Sequence, residues 1–194
     1  MPLAKTVLFD GTDLSNWRDG GGGAAQWEIK DGAMTVTKGN IVSIAEYGDA
    51  HLHVEFRVPD MPEAEGQGKG NSGVYVHGCY EIQVLDSYGR EQPDSSDCSA
   101  IYGMHAPLTN ACLPPMEWQA YDIYFRAPRF DGNQKTENAK LTLLHNGTVV
   151  HNNITLPHAT SGGVTHDREA MRGPLMLQDH DNPVSFRNIW FEAL

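Results

Sequence analysis

Glu81, Gln83 and Asp86 stand at E-x-Q-x-x-D spacing within the run NSGVYVHGCYEIQVLDS, Asn71 to Ser87. Paired carboxylates on one sheet face are the equipment of sugar chemistry, one acting as acid and the other as base or nucleophile. In an extended strand Glu81 and Gln83 point to one side while Tyr80, Ile82 and Val84 point to the other. One face therefore fills a core, and the opposite face is wet or meets a ligand. Asp86 has the wrong parity for the Glu81 face and joins it only if a bulge near Leu85 re-aims the strand. The competing roles are an exposed strand residue for Glu81 and, for Asp86, the opening of a turn Asp86-Ser87-Tyr88-Gly89.

Histidines and strand-end polar residues supply the remaining candidates. None of the nine histidines shows H-x-x-x-H or H-E-x-x-H metal spacing. His51 and His53 share a strand face that could hold a metal or contact a sugar. His180, in LQDHDNPV, and His105, in the Tyr102-Gly103-Met104-His105 loop, are candidates for proton transfer because imidazole titrates near neutrality. Asn71, Arg57, Trp118, Gln178, Asp179, Arg187 and Asn188 form a polar set at strand ends. Arg187 sits between aromatic residues in PVSFRNIWF, so its head must reach a carboxylate or a ligand, and a pair with Glu81 or Asp86 would hold those acids ionised. The chain has no nucleotide loop, no G-x-S-x-G elbow and no kinase set, which argues against phosphate-cradle and serine-nucleophile chemistry.

The elements that must position these residues read as β. With 20 Gly and 11 Pro punctuating short apolar runs and almost no i, i+3, i+4, i+7 pattern, helix is confined to short pieces. Leu52, Val54, Phe56 and Val58 alternate with His51, His53, Glu55 and Arg57, the pattern of a half-buried antiparallel strand. Asp31-Gly32 and Asn146-Gly147 predict two-residue type I′ hairpins. Further strands are expected over Thr6 to Phe9, Ile41 to Ile44, Gly73 to His77, Trp118 to Phe125, Leu175 to Gln178 and Val184 to Phe191. Roughly ten strands with hairpin links predict an all-β fold, a two-sheet antiparallel β-sandwich of jelly-roll type, with a closed barrel as the runner-up. Gly20 to Gly23, Met61 to Gly70, Tyr88 to Pro115 and Pro157 to Gly173 read as loops. The third follows the acidic strand directly and could wall the site.

At 194 residues, without an internal repeat or a composition break, the chain reads as one domain spanning 1–194. A net charge of -11 disfavours nucleic acid as a partner, and no apolar run approaches the ~20 residues of a membrane helix. A small sugar or glycoside suits a surface rich in Asn, Gln, Asp, His, Tyr and Trp. Cys98 and Cys112 could close one loop and leave Cys79 free, or all three could remain reduced. Met1 to Val7 lacks the apolar segment of a signal peptide, an expectation compatible with a cytoplasmic protein or a missing leader. Acidic loops would also suit a divalent cation such as calcium.

Across nearly its whole length the sequence resembles the bacterial 3-keto-disaccharide hydrolase domain family. The residues that carry the resemblance are LFDGTDLSNW (Leu8 to Trp17), HVEFRV (His53 to Val58), Asn71 to Gly89, CSAIYG (Cys98 to Gly103), PPMEWQAYDIYFRAPRFD (Pro114 to Asp131), LLHNGTVV (Leu143 to Val150) and GPLMLQDHDNPVSFRNIW (Gly173 to Trp190). The resemblance implies a concanavalin A-like jelly roll. The acidic strand is similar to the E-x-D-x-x-E strand of lichenase-type β-glucanases, with Gln83 in place of the central acid, and Ser99, Met116 and Asp181 stand where the family pattern leads one to expect glycine. It further implies a substrate oxidised at sugar carbon 3 by a separate oxidoreductase, a periplasmic or secreted setting, and cleavage by carbon-2 proton abstraction, elimination and hydration. Under that scheme Glu81 or Asp86 is the base, His180 or the other carboxylate the acid, and Arg187, Asn71 and Gln178 donate to an enolate or to hydroxyls. Arg57, Gln83, Tyr102, His105 and Trp118 complete the expected sugar contacts. Two alternatives are a non-catalytic carbohydrate-binding module, with Trp118 and Tyr102 stacking the sugar, and ordinary hydrolysis of an unoxidised β-glucan.

Overall fold

Hydrophobic alternation in this chain is resolved into strands that share one core. A computed structural model describes residues 4–166 and 168–194. In chain order the strands are β1 (Lys5–Phe9), β2 (Trp17–Asp19), β3 (Glu28–Lys30), β4 (Ala33–Thr35), β5 (Ile41–Tyr47), β6 (Ala50–Arg57), β7 (Ser72–Val76) and β8 (Tyr80–Val84). They continue with β9 (Gln119–Arg126), β10 (Arg129–Asp131), β11 (Gln134–Glu137), β12 (Ala139–His145), β13 (Thr148–Leu156), β14 (Gly173–Leu177) and β15 (Ser185–Ala193). A single 3-10 turn, Gly66–Gly68, is the one helical piece among the described residues.

An eight-stranded sheet runs β13-β12-β9-β6-β15-β4-β3, with β1 also paired to β15, and a five-stranded sheet runs β2-β5-β14-β7-β8. The ladders between the strands are antiparallel. The product is the expected two-sheet sandwich rather than a closed barrel. Leu52, Val54 and Phe56 from one sheet, with Val74, Val76, Tyr80, Ile82, Val84, Leu175 and Leu177 from the other, meet in one core cluster. Burying a side chain of that size contributes roughly 1.5–3 kcal/mol, so this interior dominates the favourable side of folding.

Both expected hairpins close as type I′ chemistry requires: Asp31 and Gly32 have φ of 53 and 76, and Asn146 and Gly147 have 51 and 78. β2 and the β10–β11 hairpin were not expected, because each is only three or four residues long and carries little periodic signal. Ser99, Met116 and Asp181 have φ of 69, 68 and 58, the left-handed region in which glycine is free of the Cβ penalty. The three places where the family pattern calls for glycine are therefore places where the backbone favours it.

Candidate functional site

The loop His77-Gly78-Cys79 turns β7 into β8 and fixes a register that pairs Tyr75 with Glu81 and Gly73 with Gln83. Ile82 and Val84 enter the core, so Glu81, Gln83, Tyr75 and Gly73 share the outer face of the five-stranded sheet. There Tyr75 packs with Val42, Met176 and Val164 in a small second apolar cluster. Gln178, just past β14, joins them because its backbone N–H donates to Gly73 O at 2.9 Å. A Cβ placed on Gly73 would lie 2.7 Å from Glu81 Oε1, 2.9 Å from the Tyr75 ring and 3.3 Å from Gln178 Oε1. Three polar side chains thus converge on the space that the absence of a side chain at Gly73 leaves open.

Glu81 keeps only 4% of its surface exposed, and burial pushes its carboxyl up to about 7, with the Tyr75 hydroxyl pulling in the opposite direction. The Tyr75 hydroxyl lies between that carboxyl, the Ser161 carbonyl at 3.2 Å and the Gln178 amide, which donates to it at 3.1 Å. Burial, and secondarily the Glu81 charge, hold this phenol far above its ordinary pKa, so it stays a neutral donor. Thr160 Oγ1 accepts the Glu81 backbone N–H at 2.9 Å, and Thr160 N donates to Cys79 O at 2.9 Å, which ties the segment after β13 to β8.

A second layer consists of amides. Gln67 accepts at Oε1 from Gln83 Nε2 at 2.9 Å and from Asn71 Nδ2 at 3.2 Å, and its backbone carbonyl accepts from Asn71 at 2.7 Å. Among the described residues, Asn71 Oδ1, Gln83 Oε1 and Gln178 Oε1 are buried and accept no hydrogen bond. Leaving a buried polar atom unpaired costs about 1–3 kcal/mol, so three acceptors in one place call for donors from outside the chain.

The connector after β8 adds a further edge segment to this sheet. Gln83 N donates to Ala100 O at 2.9 Å, Ser99 N donates to Gln83 O at 2.9 Å and Tyr102 N donates to Glu81 O at 3.2 Å. Ile101 faces the core opposite Ile82, which puts the half-buried Tyr102 on the Glu81 side.

Several expected participants lie elsewhere. No bulge interrupts the β7–β8 ladder, and Leu85 is buried in the core directly after Val84. Asp86 consequently turns away and pairs with Lys69 Nζ at 3.0 Å, so Glu81 has no second carboxylate beside it from this strand. Arg57, Trp118 and Arg187 occupy the outer face of the eight-stranded sheet, on the far side of the sandwich. There Arg187 and Asn188 bind the Glu55 carboxylate, and the guanidinium groups of Arg187 and Arg57 sit 4.1 and 4.8 Å from the Trp118 ring. A register shift between Arg187 and Trp190, with Asn188 at φ 47, lets both neighbours reach one carboxylate. His105 is held to Thr155 O on β13 at 3.1 Å, away from Glu81. His51 and His53 share Asp122 Oδ1, at 3.1 and 2.9 Å, on the far face. His180 is exposed in a loop pinned through Asp179 to Gly39 and Asn40 and through Asn182 to Asn71, but among the described residues no hydrogen bond holds its ring.

Tyr75, Thr160 and Gln67 were not anticipated. Tyr75 was recoverable, since a three-residue turn in VYVHGCYEI sets its register opposite Glu81, whereas Thr160 and Gln67 arrive from loops with no periodic signal.

An antiparallel sandwich that holds one buried carboxylate among amides and tyrosines, on the outer face of its smaller sheet, has the make-up of a carbohydrate-active protein. The chain belongs to the 3-keto-alpha-glucoside-1,2-lyase-like domain family, whose model matches residues 4–192. A solved structure described as a "putative glycosyl hydrolase" from Parabacteroides distasonis, at 2.13 Å resolution, is 38% identical, with 98% of this chain and 84% of that chain covered and a TM-score of 0.89. A second from the same organism, at 1.70 Å, is 20% identical over 98% and 94% of the two chains, with a TM-score of 0.73, and speaks for the fold alone. The carbohydrate binding module CBM66 from Bacillus subtilis shares the fold at 10% identity over 92% and 96%, with a TM-score of 0.51. No curated protein matches the chain. Among the described residues no helix is long and apolar enough to cross a membrane.

Proposed function

We propose that the protein cleaves 3-keto-glycosides by carbon-2 proton abstraction, elimination of the aglycone from carbon 1, and addition of water. A ketone at carbon 3 acidifies the carbon-2 hydrogen. The Glu81 carboxylate takes that proton, and the electron pair moves into the enolate. Collapse of the enolate breaks the bond from carbon 1 to the aglycone oxygen, which leaves with a proton from a neutral donor. Tyr75 is the donor that faces Glu81, and the half-buried Tyr102 lies on the same side of the sheet. Water then adds at carbon 1 of the resulting enone and gives the free 3-keto sugar.

The observation that carries this reading is Glu81, a lone buried carboxyl whose proton affinity is raised to about 7 where Tyr75 and Gln178 converge over Gly73. A base tuned close to working pH combines ionised population with proton affinity. Double-displacement hydrolysis needs two carboxyl groups ~5–5.5 Å apart, and the removal of Asp86 to Lys69 weighs against it. The unpaired oxygens of Asn71, Gln83 and Gln178 suit the hydroxyl donors of a neutral sugar ring. The same oxygens, with Glu81, also fit a hard divalent cation such as calcium or magnesium, which would supply charge stabilisation for an enolate when bound. An oxidoreductase acting on the carbon-3 alcohol must supply the substrate.

Incubation with a chromogenic 3-keto-glucoside tests the proposal. We expect aglycone release from the keto substrate, slowed by deuterium at carbon 2, with no release from the unoxidised glucoside. Equal turnover of both substrates would overturn the elimination route. Saturable binding without turnover would establish a carbohydrate-binding module instead. Loss of turnover with a chelator, restored by calcium or magnesium, would assign the cation.

A further inference from the structure

Behind the candidate site, where the connector crosses the eight-stranded sheet, Cys98, Cys112 and His145 bring two sulfurs and a ring nitrogen within 4.8 Å of one another. Cys98 and His145 are buried and Cys112 is half-buried, and the proposed reaction uses none of them. We propose that these three side chains form a structural binding site for a borderline-soft divalent cation of the zinc class.

The donor set selects that class. Two thiolates and an imidazole suit zinc and disfavour calcium or magnesium, which take oxygen. Bond lengths of ~2.3 Å to sulfur and ~2.0 Å to nitrogen place tetrahedral ligands roughly 3.5–3.8 Å apart, so the cluster closes around a cation by movements of about 1 Å or less. Binding forms two metal–sulfur bonds and one metal–nitrogen bond in place of three of the cation's water ligands, the fourth tetrahedral position keeps a water, and both thiol protons leave to solvent.

The surroundings prepare the imidazole. Gln119 Oε1 accepts the Leu113 backbone N–H at 2.9 Å, which fixes its oxygen towards His145 Nε2 at 3.0 Å. Nε2 must then carry the ring proton, and the lone pair resides on Nδ1, the tautomer control that second-shell acceptors give to metal-binding histidines. The one hydrogen bond at Nδ1 among the described residues is with the Ser99 hydroxyl, at 2.8 Å, next in sequence to Cys98. Ser99 can turn instead to Tyr121 Oη, 3.4 Å away. Gln119 Nε2, on the same amide, is a buried donor with no acceptor among the described residues. Its carbonyl touches Leu113, the neighbour of Cys112, and a thiolate is the acceptor that this locality would gain on metallation. Cys98 opens the segment that hydrogen-bonds to β8, and His145 ends β12, so a cation here staples the site-bearing edge to the opposite sheet.

The test uses the full chain without a histidine tag, stripped of metal under reducing conditions and titrated with Zn²⁺, or with Co²⁺ as an optical reporter. We expect one equivalent to bind, Co²⁺ to show a thiolate charge-transfer band in the near ultraviolet, and Zn²⁺ at 100-fold over its Kd to raise Tm by roughly 5–10 °C. Cys112→Ser, at the half-buried position, should abolish all three effects while keeping the Tm of the metal-free wild type. Should that variant fail to fold, the cobalt spectrum of the wild type still decides. Absence of stoichiometric binding, a cobalt spectrum without thiolate character, or effects that survive in Cys112→Ser would each overturn the proposal. So would a Cys98–Cys112 disulfide that forms in air despite saturating zinc.

Discussion

Replacing Glu81 with glutamine isolates the consequence of its burial. The folded protein lifts this carboxyl from 4.5 to about 7, a rise of roughly 2.5 pH units that corresponds to about 3 kcal/mol. Between those two values the folded state holds a proton that the unfolded chain has released. Stability therefore falls as pH rises, and the full penalty is present above the folded pKa. At about pH 4 both forms of residue 81 are neutral, and wild type and Glu81→Gln should unfold at similar denaturant concentrations. At about pH 8 the variant should be more stable by up to about 3 kcal/mol, or roughly 6–12 °C in Tm for a chain of this size. Denaturant titrations of both proteins across that range measure the difference directly. Turnover should behave oppositely: a base must be ionised, so kcat/KM should rise with pH to a plateau above about 7 and should be lost in the variant. Parallel stability curves for the two proteins would refute the claim that the fold keeps Glu81 partly protonated.

Tyr75→Phe removes the buried hydroxyl that faces Glu81, donates to Ser161 O and accepts from Gln178, so turnover should drop roughly a hundredfold and Tm should fall by about 2–10 °C. Because that hydroxyl pulls the Glu81 pKa down, the rising limb of the pH profile should also move to higher pH in this variant. Arg187→Ala should leave turnover of a 3-keto-glucoside unchanged and cost about 1 kcal/mol or less in urea titrations, since its half-exposed head serves Glu55 and Trp118 on the far face. Met116→Gly relieves a left-handed backbone at an exposed side chain and should raise Tm by roughly 1–4 °C with unaltered kinetics.

Much of this architecture is legible from local chemistry. The alternation of Leu52, Val54 and Phe56 against His51, His53 and Glu55 identifies β6 and its faces, and the parity of Glu81 and Gln83 against Ile82 places both on one side of β8. Two dipeptides that accept positive φ mark two hairpins. What cannot be read locally is which sheet a strand joins. Arg187 and Trp118 sit at strand ends as Gln178 does, yet their strands lie beside β6, while Gln178 follows a strand beside β7. Residues of the same chemistry thus fall on opposite sides of the molecule through crossovers that no window of sequence encodes. Asp86 depended on a bulge, and burial of Leu85 beside Val84 took the backbone a different way. The amide cluster around Gln67 was hidden because it joins two loops to a strand, and amides in loops are ordinary.

The pairing of β15 has a consequence for how the chain comes to its native form. This last strand lies between β6 on one side and β4 and β1 on the other, with Lys5 opposite Glu192. Until it arrives, β6 presents an open edge, and the first strand has no partner. A growing polypeptide consequently cannot finish its larger sheet before Ser185–Ala193 has been made. Contacts of such long sequence separation favour slow closure. They also bring the first and last strands together, so that linking β15 to β1 and opening the molecule at an exposed turn such as Gly132-Asn133 would rearrange the order of synthesis without disturbing the larger sheet.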